Sequence, residues 1–574
     1  AVGGSWGGKW AWTKLFGRSV WKLTMFGFIK QALNGTVLPN PVRHGLPNGV
    51  RQYIHQPVLI FMKKNSLTVI LFCMMALAAN AQTPLPYKNQ NLPIDQRIDD
   101  LLSRMTIEEK AGQLNQLNGG VLTGPQAAND PGQAGKLNLL RAGQVGSFLN
   151  VTGAGETGRV QKIAVEETRL GIPLLFGYDV IHGYKTVFPI PLAEACSWDL
   201  AGAEKTAAIA ADEASSAGLH WTFAPMMDMS REPRWGRVME GSGEDTWLVG
   251  LFAAARVRGF QGNLDNRHLM ATVKHFAAYG APEGGREYNT VDMSRYAFWN
   301  YYLPPYEAAV RAGAATVMNS FNIFDGIPAS GNHFLVSDIL KTRWNFRGFV
   351  VSDWASFSEM ITHGYAADNA DAAEKALMAG SDMDMESRVF QEELARLVRA
   401  GKIPETRLND AVRRILYWKF KLGLFDNPFR YHDPAREKAT LLTDAHQQVA
   451  REAAGNSMVL LKNEGNLLPL NKNLKNILVV GHLAESQDEV LDFWKGQGEH
   501  QHTVTILQGI KSKYPDAAVN FVRGYDKSFK FITADAKAIQ LQARNAGAIV
   551  VVLGLSGEVG GEARSLADIN PAAG

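Results

Sequence analysis

Cysteine is almost absent: the 574 residues hold two, Cys73 and Cys196. With so few thiols, a disulfide framework, a thiolate metal site and a cysteine–histidine nucleophile pair are all unsupported. Acidic residues are missing altogether from the first 81 positions, which carry nine Lys or Arg. The formal net charge of +3 therefore becomes −6 once those positions are set aside. The basic balance belongs to the leader, so nucleic acid is not an implied partner. No apolar run reaches the ~18 residues that a membrane span needs. The run Leu67–Ala79 instead follows Met62-Lys63-Lys64-Asn65 and closes on Ala79-Asn80-Ala81. A basic start, a short apolar stretch and a small-x-small site together make a secretory signal peptide. Residues 62–81 are thus expected to direct export to the periplasm or beyond. Residues 1–61, with no steady period, are expected to be upstream sequence translated ahead of a natural start at Met62. No short-period repeat or low-complexity tract is present.

What the chain does have is a long alternation. Thr106-Ile107-Glu108-Glu109 reads as a capping box that opens a helix. Strand-like runs follow at Val145–Leu149, Pro173–Tyr178, Trp221–Ala224, Met270–Val273, Thr316–Asn319 and Phe349–Val351, with helical stretches between them. Alternation of this kind over roughly 300 residues predicts an α/β fold with a (β/α)8-type TIM barrel. The barrel is expected over 92–425, with a linker over 426–443. A second α/β unit, a sandwich over 444–574, is announced by strand candidates at Met458–Leu461, Ile477–Val480 and Ala548–Leu553. A parallel sheet needs crossover helices and further strands to cover its faces, so this second unit is expected to be incomplete at its C-terminal end.

Charged and aromatic clusters sit where barrel strands run out, the end of the barrel that carries chemistry. Asp353-Trp354 follows Phe349–Val351, and Asp179 follows Phe176–Tyr178. Arg237 and Glu240 come after the third strand candidate, and Lys274-His275-Phe276 ends the fourth. Arg286 lies in the next loop, and Asp382-Met383-Asp384 falls where a last strand belongs. A carboxylate beside an indole suits sugar, because the acid can attack or hold hydroxyls while the ring stacks on a pyranose face. Read alone, Asp353 could equally cap the following helix. Glu499-His500-Gln501-His502 offers no third ligand for a metal. Gly554–Gly561 lacks the G-x-G-x-x-G register of a dinucleotide site.

Taken together, Lys274-His275-Phe276, Phe349–Trp354, Phe176–Gly183 and Pro233–Arg237 resemble the barrel motifs of glycoside hydrolase family 3, with the secreted bacterial β-glucosidases as the nearest branch. The resemblance runs from about residue 92 to the end. It implies a barrel paired with an α/β sandwich, an active site between them and no cofactor. Many members of this branch carry a fibronectin type III-like domain, which would follow Gly574. Carried over by position, Asp353 is the nucleophile of a retaining enzyme, which forms a glycosyl ester. Asp179 would accept hydrogen bonds from sugar hydroxyls, and Arg237, Lys274, His275 and Arg286 would donate to others. Trp354 would wall the aglycone side. Lys274 and His275 are neighbours that strand geometry sends to opposite faces, so a bulge or a non-proline cis peptide is expected there.

A retaining site needs a second carboxyl roughly 5–5.5 Å from the first. No barrel motif offers an obvious one. The family pattern in the second domain resembles Ser-Gly-Glu-Ala-x-Ser-Arg, and Gly560-Gly561-Glu562-Ala563-Arg564-Ser565-Leu566 runs along it, with Gly560 at the serine and Leu566 where an arginine is usual. Glu562 is thus the preferred acid/base, with Glu558 as its rival. The implied activity is removal of terminal non-reducing β-D-glucose from β-glucosides and oligosaccharides. Asp179 favours glucose over xylose, since a pocket must read the 6-hydroxyl that xylose lacks. Phe276-Ala277-Ala278-Tyr279-Gly280 lacks the Pro-Gly-His loop of the family's N-acetylglucosaminidases. A β-xylosidase and a non-catalytic sugar-binding protein stand as the alternatives. An oligosaccharide is the expected partner, with neither nucleic acid nor a membrane span involved.

Overall fold

The structure is a computed structural model that describes residues 85–123, 131–528, 530–557 and 559–567. The leader expected at 62–81, the upstream segment 1–61 and Glu558 lie outside the described residues. No described helix is long and apolar enough to cross a membrane.

Eight short parallel strands build a barrel: β1 (Asn115–Asn118), β2 (Ser147–Leu149), β3 (Leu175–Tyr178), β4 (Trp221–Thr222), β5 (Thr272–Phe276), β6 (Thr316–Asn319), β7 (Phe349–Val351) and β8 (Asp384–Met385). Hydrogen bonding orders them β8–β1–β2–β3–β4 in one run and β5–β6–β7 in another. Parallel bridges between Trp221 and Met270 and between Val351 and Met383 join the runs and close the circle. The apolar run at β7 has a simple cause. Phe349, Val350 and Val351 have no accessible surface, and alternate residues serve different cores. Val350 packs outward with Val317 and Val273 under the helices. Phe349 and Val351 pack inward with Trp221, Met270 and Met318. Both faces of the strand are buried, so no polar alternation survives. Inside, the Trp221 indole N–H reaches Thr272 Oγ1 at 2.6 Å and Thr316 Oγ1 at 2.9 Å.

The helices start where the sequence marks them. Thr106 and Glu109 form a reciprocal capping box. Asp199 and Asp245 cap the long helices Leu200–Ser216 and Thr246–Gln261, accepting from Gly202 N and Leu248 N. After the barrel helix Glu405–Lys421 the chain passes through shorter helices into an α/β sandwich sheet. Its parallel strands β9 (Asn476–Val480), β10 (Ala518–Val522) and β11 (Ala548–Val551) lie in the order β10–β9–β11.

Two elements differ from the expectation. β1 falls on Asn115-Gln116-Leu117-Asn118, which shows no apolar run because its amides are used inside the barrel. Gln116 Nε2 donates to Ser147 Oγ at 2.8 Å, and Asn115 Nδ2 to the Gln144 carbonyl. Met458–Leu461, expected as a strand, forms no ladder among the described residues, and Leu461 is 92% exposed. Without a neighbouring strand, β-propensity alone does not make one.

The sandwich is fastened to the C-terminal end of the barrel. Gln497 donates from its backbone to the Tyr184 carbonyl and from its side chain to Tyr178. The buried Glu213 carboxylate gathers Lys185 N, Thr186 N and Oγ1, Leu442 N and His446 Nδ1, tying the segment between the two sheets to a barrel helix. The loop 561–566 lies antiparallel along 234–236. Leu566 N–H donates to Arg234 O (2.8 Å), Gly236 N–H to Arg564 O (3.1 Å) and Gly561 N–H to Gly236 O (2.7 Å).

The backbones approach so closely that a side chain at 236 has no room. A Cβ there would stand 2.4 Å from Gly561 O and 2.6 Å from Arg564 O. Gly561 itself has φ +106°, a conformation that glycine alone adopts without strain. Gly236→Ala is therefore expected to push the 561–566 loop off the barrel and lower stability by about 1–3 kcal/mol. Thermal unfolding and proteolysis of the segment 556–567 would register it. An unchanged melting temperature with an equally protected loop would show that the close approach is dispensable.

Candidate active site

A cavity of about 300 Å³ opens where the barrel meets the sandwich. Seven strand ends reach it: Leu149 from β2, Asp179 after β3, Phe223 after β4, Lys274 from β5, Met318 from β6, Asp353 after β7 and Met385 from β8. Arg237, Tyr288, Phe321, Trp354 and Glu359 complete the barrel's share, and Trp494 and Glu562 come from the sandwich. Carboxylates, cations and aromatic faces therefore line one space of a size that suits a small ligand.

Asp353 sits at the floor. Its Oδ1 accepts from Trp354 N at 2.7 Å, while its buried Oδ2 has no hydrogen-bond partner among the described residues. Burial pushes its carboxyl up to about 8, and the charge of Glu562 adds to that, against the pull of Arg237 and Lys274. Beside it, Trp354 is 44% exposed and presents its indole to the cavity. Asp179 and Lys274 form an ion pair at 3.1 Å on the opposite wall. Burial raises the Asp179 carboxyl and Lys274 opposes the rise. Lys274 Nζ lies 5.5 Å from the centre of the Trp494 ring.

The bond between Lys274 and His275 is cis, and the ladder from β5 to β6 slips between Val273 and Phe276. Lys274 lines the cavity, whereas His275 stands in the wall behind it, with Nε2 3.4 Å from Asp353 Oδ2. Arg237 is buried and has acceptors at all three of its nitrogens. It holds Glu240 through two bonds of 2.8 and 3.0 Å, meets His275 Nε2 at 3.0 Å and lies 3.4 Å from Glu562 Oε1. Burial works against the Glu240 charge, but Arg237, with Lys274 and the Trp494 indole, holds the carboxyl below its usual range. The Tyr288 hydroxyl donates to Glu562 Oε1 at 3.0 Å.

Of the residues singled out from sequence, Asp179, Arg237, Lys274, Asp353, Trp354 and Glu562 share the cavity, and His275 backs it. Arg286 does not join them: it is exposed on the turn 283–286 and absent from the cavity lining. Gly284 and Gly285, both at positive φ, swing the chain so that Glu287 and Tyr288 turn toward the sandwich instead. Glu287 N–H then donates to Ser565 Oγ at 2.9 Å. Sequence reasoning missed Tyr288, Phe321 and Trp494. A tyrosine three residues after the glycine pair was the one signal available, while Trp494 lies in a loop with no period at all. Among the described residues no group of three or more His, Cys, Asp or Glu could hold a metal ion.

Comparison with known proteins agrees with this geometry. The model described as "Glycosyl hydrolase family 3 N terminal domain" matches residues 106–417, and the "Glycosyl hydrolase family 3 C-terminal domain" matches 458–573. A periplasmic β-glucosidase of Salmonella typhimurium is 39% identical over 501 residues, covering 83% of this chain and 64% of its own length. A β-xylosidase of Formosa agariphila is 30% identical over 511 residues, covering 86% of this chain and 65% of its own. A Listeria innocua β-glucosidase solved in complex with glucose superposes with a TM-score of 0.78 at 40% identity, over 83% of this chain and 66% of that one. The chain thus spans just under two thirds of the length of these relatives.

The two carboxylates should sense each other. Removing the negative charge of Glu562 favours the ionised form of Asp353, so Glu562→Gln is expected to move the Asp353 titration down from about 8. Carbon-13 NMR of aspartate-labelled protein would follow it. A midpoint that stays put would mean that the sandwich carboxylate does not act on Asp353.

Proposed function

The chain belongs to glycosyl hydrolase family 3, and we propose from this that it is a retaining, exo-acting β-glucosidase releasing terminal non-reducing β-D-glucose. The single observation carrying the proposal is that Asp353 and Glu562, from different domains, line the same small cavity as the Asp179–Lys274 pair. A double displacement needs two carboxyl groups with different tasks. Asp353 attacks the anomeric carbon through its unpartnered Oδ2, forming a glycosyl ester as the aglycone leaves. Glu562 gives its proton to the departing oxygen and then takes one from the water that cleaves the ester. Asp179 and Lys274 bind the hydroxyls of the terminal sugar, with Arg237 bracing the site from its side. Trp354 and Trp494 are the stacking surfaces, and Trp354 walls the aglycone position. The leader-like segment 62–81 and the similar periplasmic β-glucosidase support export to the periplasm or beyond.

A 2-deoxy-2-fluoro glucoside slows breakdown of the ester, so it should accumulate on the peptide that holds Asp353. Label on another carboxylate, or release of α-glucose, would sink the nucleophile. Specificity follows from the hydroxyls read by Asp179 and Lys274. Losing one such contact costs about 1–3 kcal/mol per group left unpaired. Aryl β-glucoside should therefore exceed aryl β-xyloside in kcat/KM by about tenfold or more, and equal or better xyloside turnover would favour the xylosidase relatives.

The donor has its own test. Glu562→Ala should spare substrates with good leaving groups, which need little protonation, and azide should restore turnover as β-glucosyl azide. Should Glu558→Ala show that rescue while Glu562→Ala stays near the parent, the donor is Glu558.

A further inference from the structure

Behind the cavity wall, on the segment after β4, lies Asp228, 1% exposed. Its Oδ2 accepts twice from one residue, from His275 N at 2.9 Å and from His275 Nδ1 at 2.7 Å. On its other side the Tyr306 hydroxyl is 2.5 Å from Oδ1 and 2.7 Å from the His275 carbonyl.

The positions of the protons follow from what each partner can do. A guanidinium only donates, so Arg237 Nη2, 3.0 Å from His275 Nε2, requires a lone pair on that nitrogen. The ring proton then belongs on Nδ1, where Asp228 receives it. Asp228, Asp353, Arg237 and Lys274 are the charged groups around the imidazole, with Tyr306 beneath it and the Tyr279 ring edge-on at 5.2 Å. Burial, with Arg237 and Lys274 nearby, holds the His275 pKa far below its usual value, so the ring is neutral. With its Nε2 lone pair committed to Arg237, the ring has no proton to give Asp353 Oδ2, 3.4 Å away.

We propose that Asp228 is a positioning residue that locks His275 as the Nδ1–H tautomer and so keeps Asp353 Oδ2 free of a hydrogen bond. The inference rests on the reading of Asp353 as nucleophile. In the opposite tautomer Nε2–H breaks with Arg237 and donates to Asp353, stabilising the carboxylate in the ground state and blunting its attack. Misassignment of the imidazole tautomer is known to cost about 10⁴-fold in kcat in a serine protease triad. The lock works by acceptance of two N–H groups at one oxygen, and it does not depend on charge. Tyr306 has one proton and two acceptors. When it donates to the His275 carbonyl, Asp228 Oδ1 can carry a proton and donate to the tyrosine oxygen, leaving Oδ2 unchanged. Burial pushes the Asp228 carboxyl up to about 7, in keeping with such a shared proton. An amide can take over both duties, with its oxygen at Oδ2 and its NH2 facing Tyr306; a methyl group can take over neither.

Nitrogen-15 NMR of histidine-labelled protein reads the tautomer directly, with His275 assigned by its loss in His275→Gln. The wild type and Asp228→Asn should both show neutral Nδ1–H. Asp228→Ala should lose that pattern, lower kcat on aryl β-glucosides by about 100-fold or more, and shift the acidic limb of kcat/KM to lower pH as Nε2–H bonds Asp353. Asp228→Asn should regain most of that kcat. Nε2–H in the wild type, or an Asp228→Ala enzyme with the parental pH profile, overturns the proposal. If Asp228→Ala does not fold, the wild-type and Asp228→Asn spectra still decide it. A wild-type Nδ1–H signal with fluoroglucoside label on a carboxylate other than Asp353 leaves the lock standing and removes the nucleophile.

Discussion

One buried guanidinium holds the site together. Arg237 is 1% exposed, so every N–H it carries must find an acceptor inside the protein. Glu240 takes two of them, His275 a third, and Glu562 lies in reach of another. These acceptors belong to the segment after β4, to β5 and to the sandwich. The Arg237–Glu240 pair also anchors the second domain through Glu240, which accepts from the Trp494 indole at 2.9 Å. A buried pair of this kind contributes little net stability, but removing either partner leaves an uncompensated charge. Its value here is geometric. It fixes three segments, distant in sequence, to one planar fork whose directions cannot vary.

Around that fork the two domains divide the work. The barrel supplies a rigid ring of strand ends, and rigid elements hold side chains more closely than loops can. The sandwich supplies loops, and loops are brought to order by the backbone zipper along 234–236 and by Tyr288 and Ser565. The close approach at Gly236 and the left-handed turn at Gly561 are what let two backbones touch. The cavity is therefore a property of the interface, and neither domain alone encloses it.

Much of this was legible in the sequence, for definable reasons. A barrel strand buried on both faces is written as an apolar run, so β7 and the carboxylate after it could be read locally. Asp179 and Lys274 likewise close recognisable strands. β1 could not be read, because Gln116 and Asn115 turn their amide N–H groups to Ser147 and Gln144, and a polar strand has no period to betray it. Met458–Leu461 failed in the other direction, apolar throughout yet without a ladder among the described residues. Arg286 shows how little spacing says about a turn: two glycines at positive φ reverse which residues face inward, and Tyr288 takes the place. Trp494 and Glu562 depend on docking between segments hundreds of residues apart. Only the motif around Glu562 gave notice of it, and nothing did for Trp494.

Chain order gives the split site a further meaning. Synthesis proceeds from the N-terminus, so the barrel with Asp353 is complete before the residues around Glu562 leave the ribosome. With Asp353 as nucleophile and Glu562 as donor, as proposed, such a nascent chain holds the first without the second. The zipper to Arg234–Gly236 can form only after residue 566 has been made. If the proposed roles hold, a chain not yet made through residue 566 has the barrel's share of the cavity without the loop that seats Glu562, so the two carboxylates come together only after the sandwich has docked.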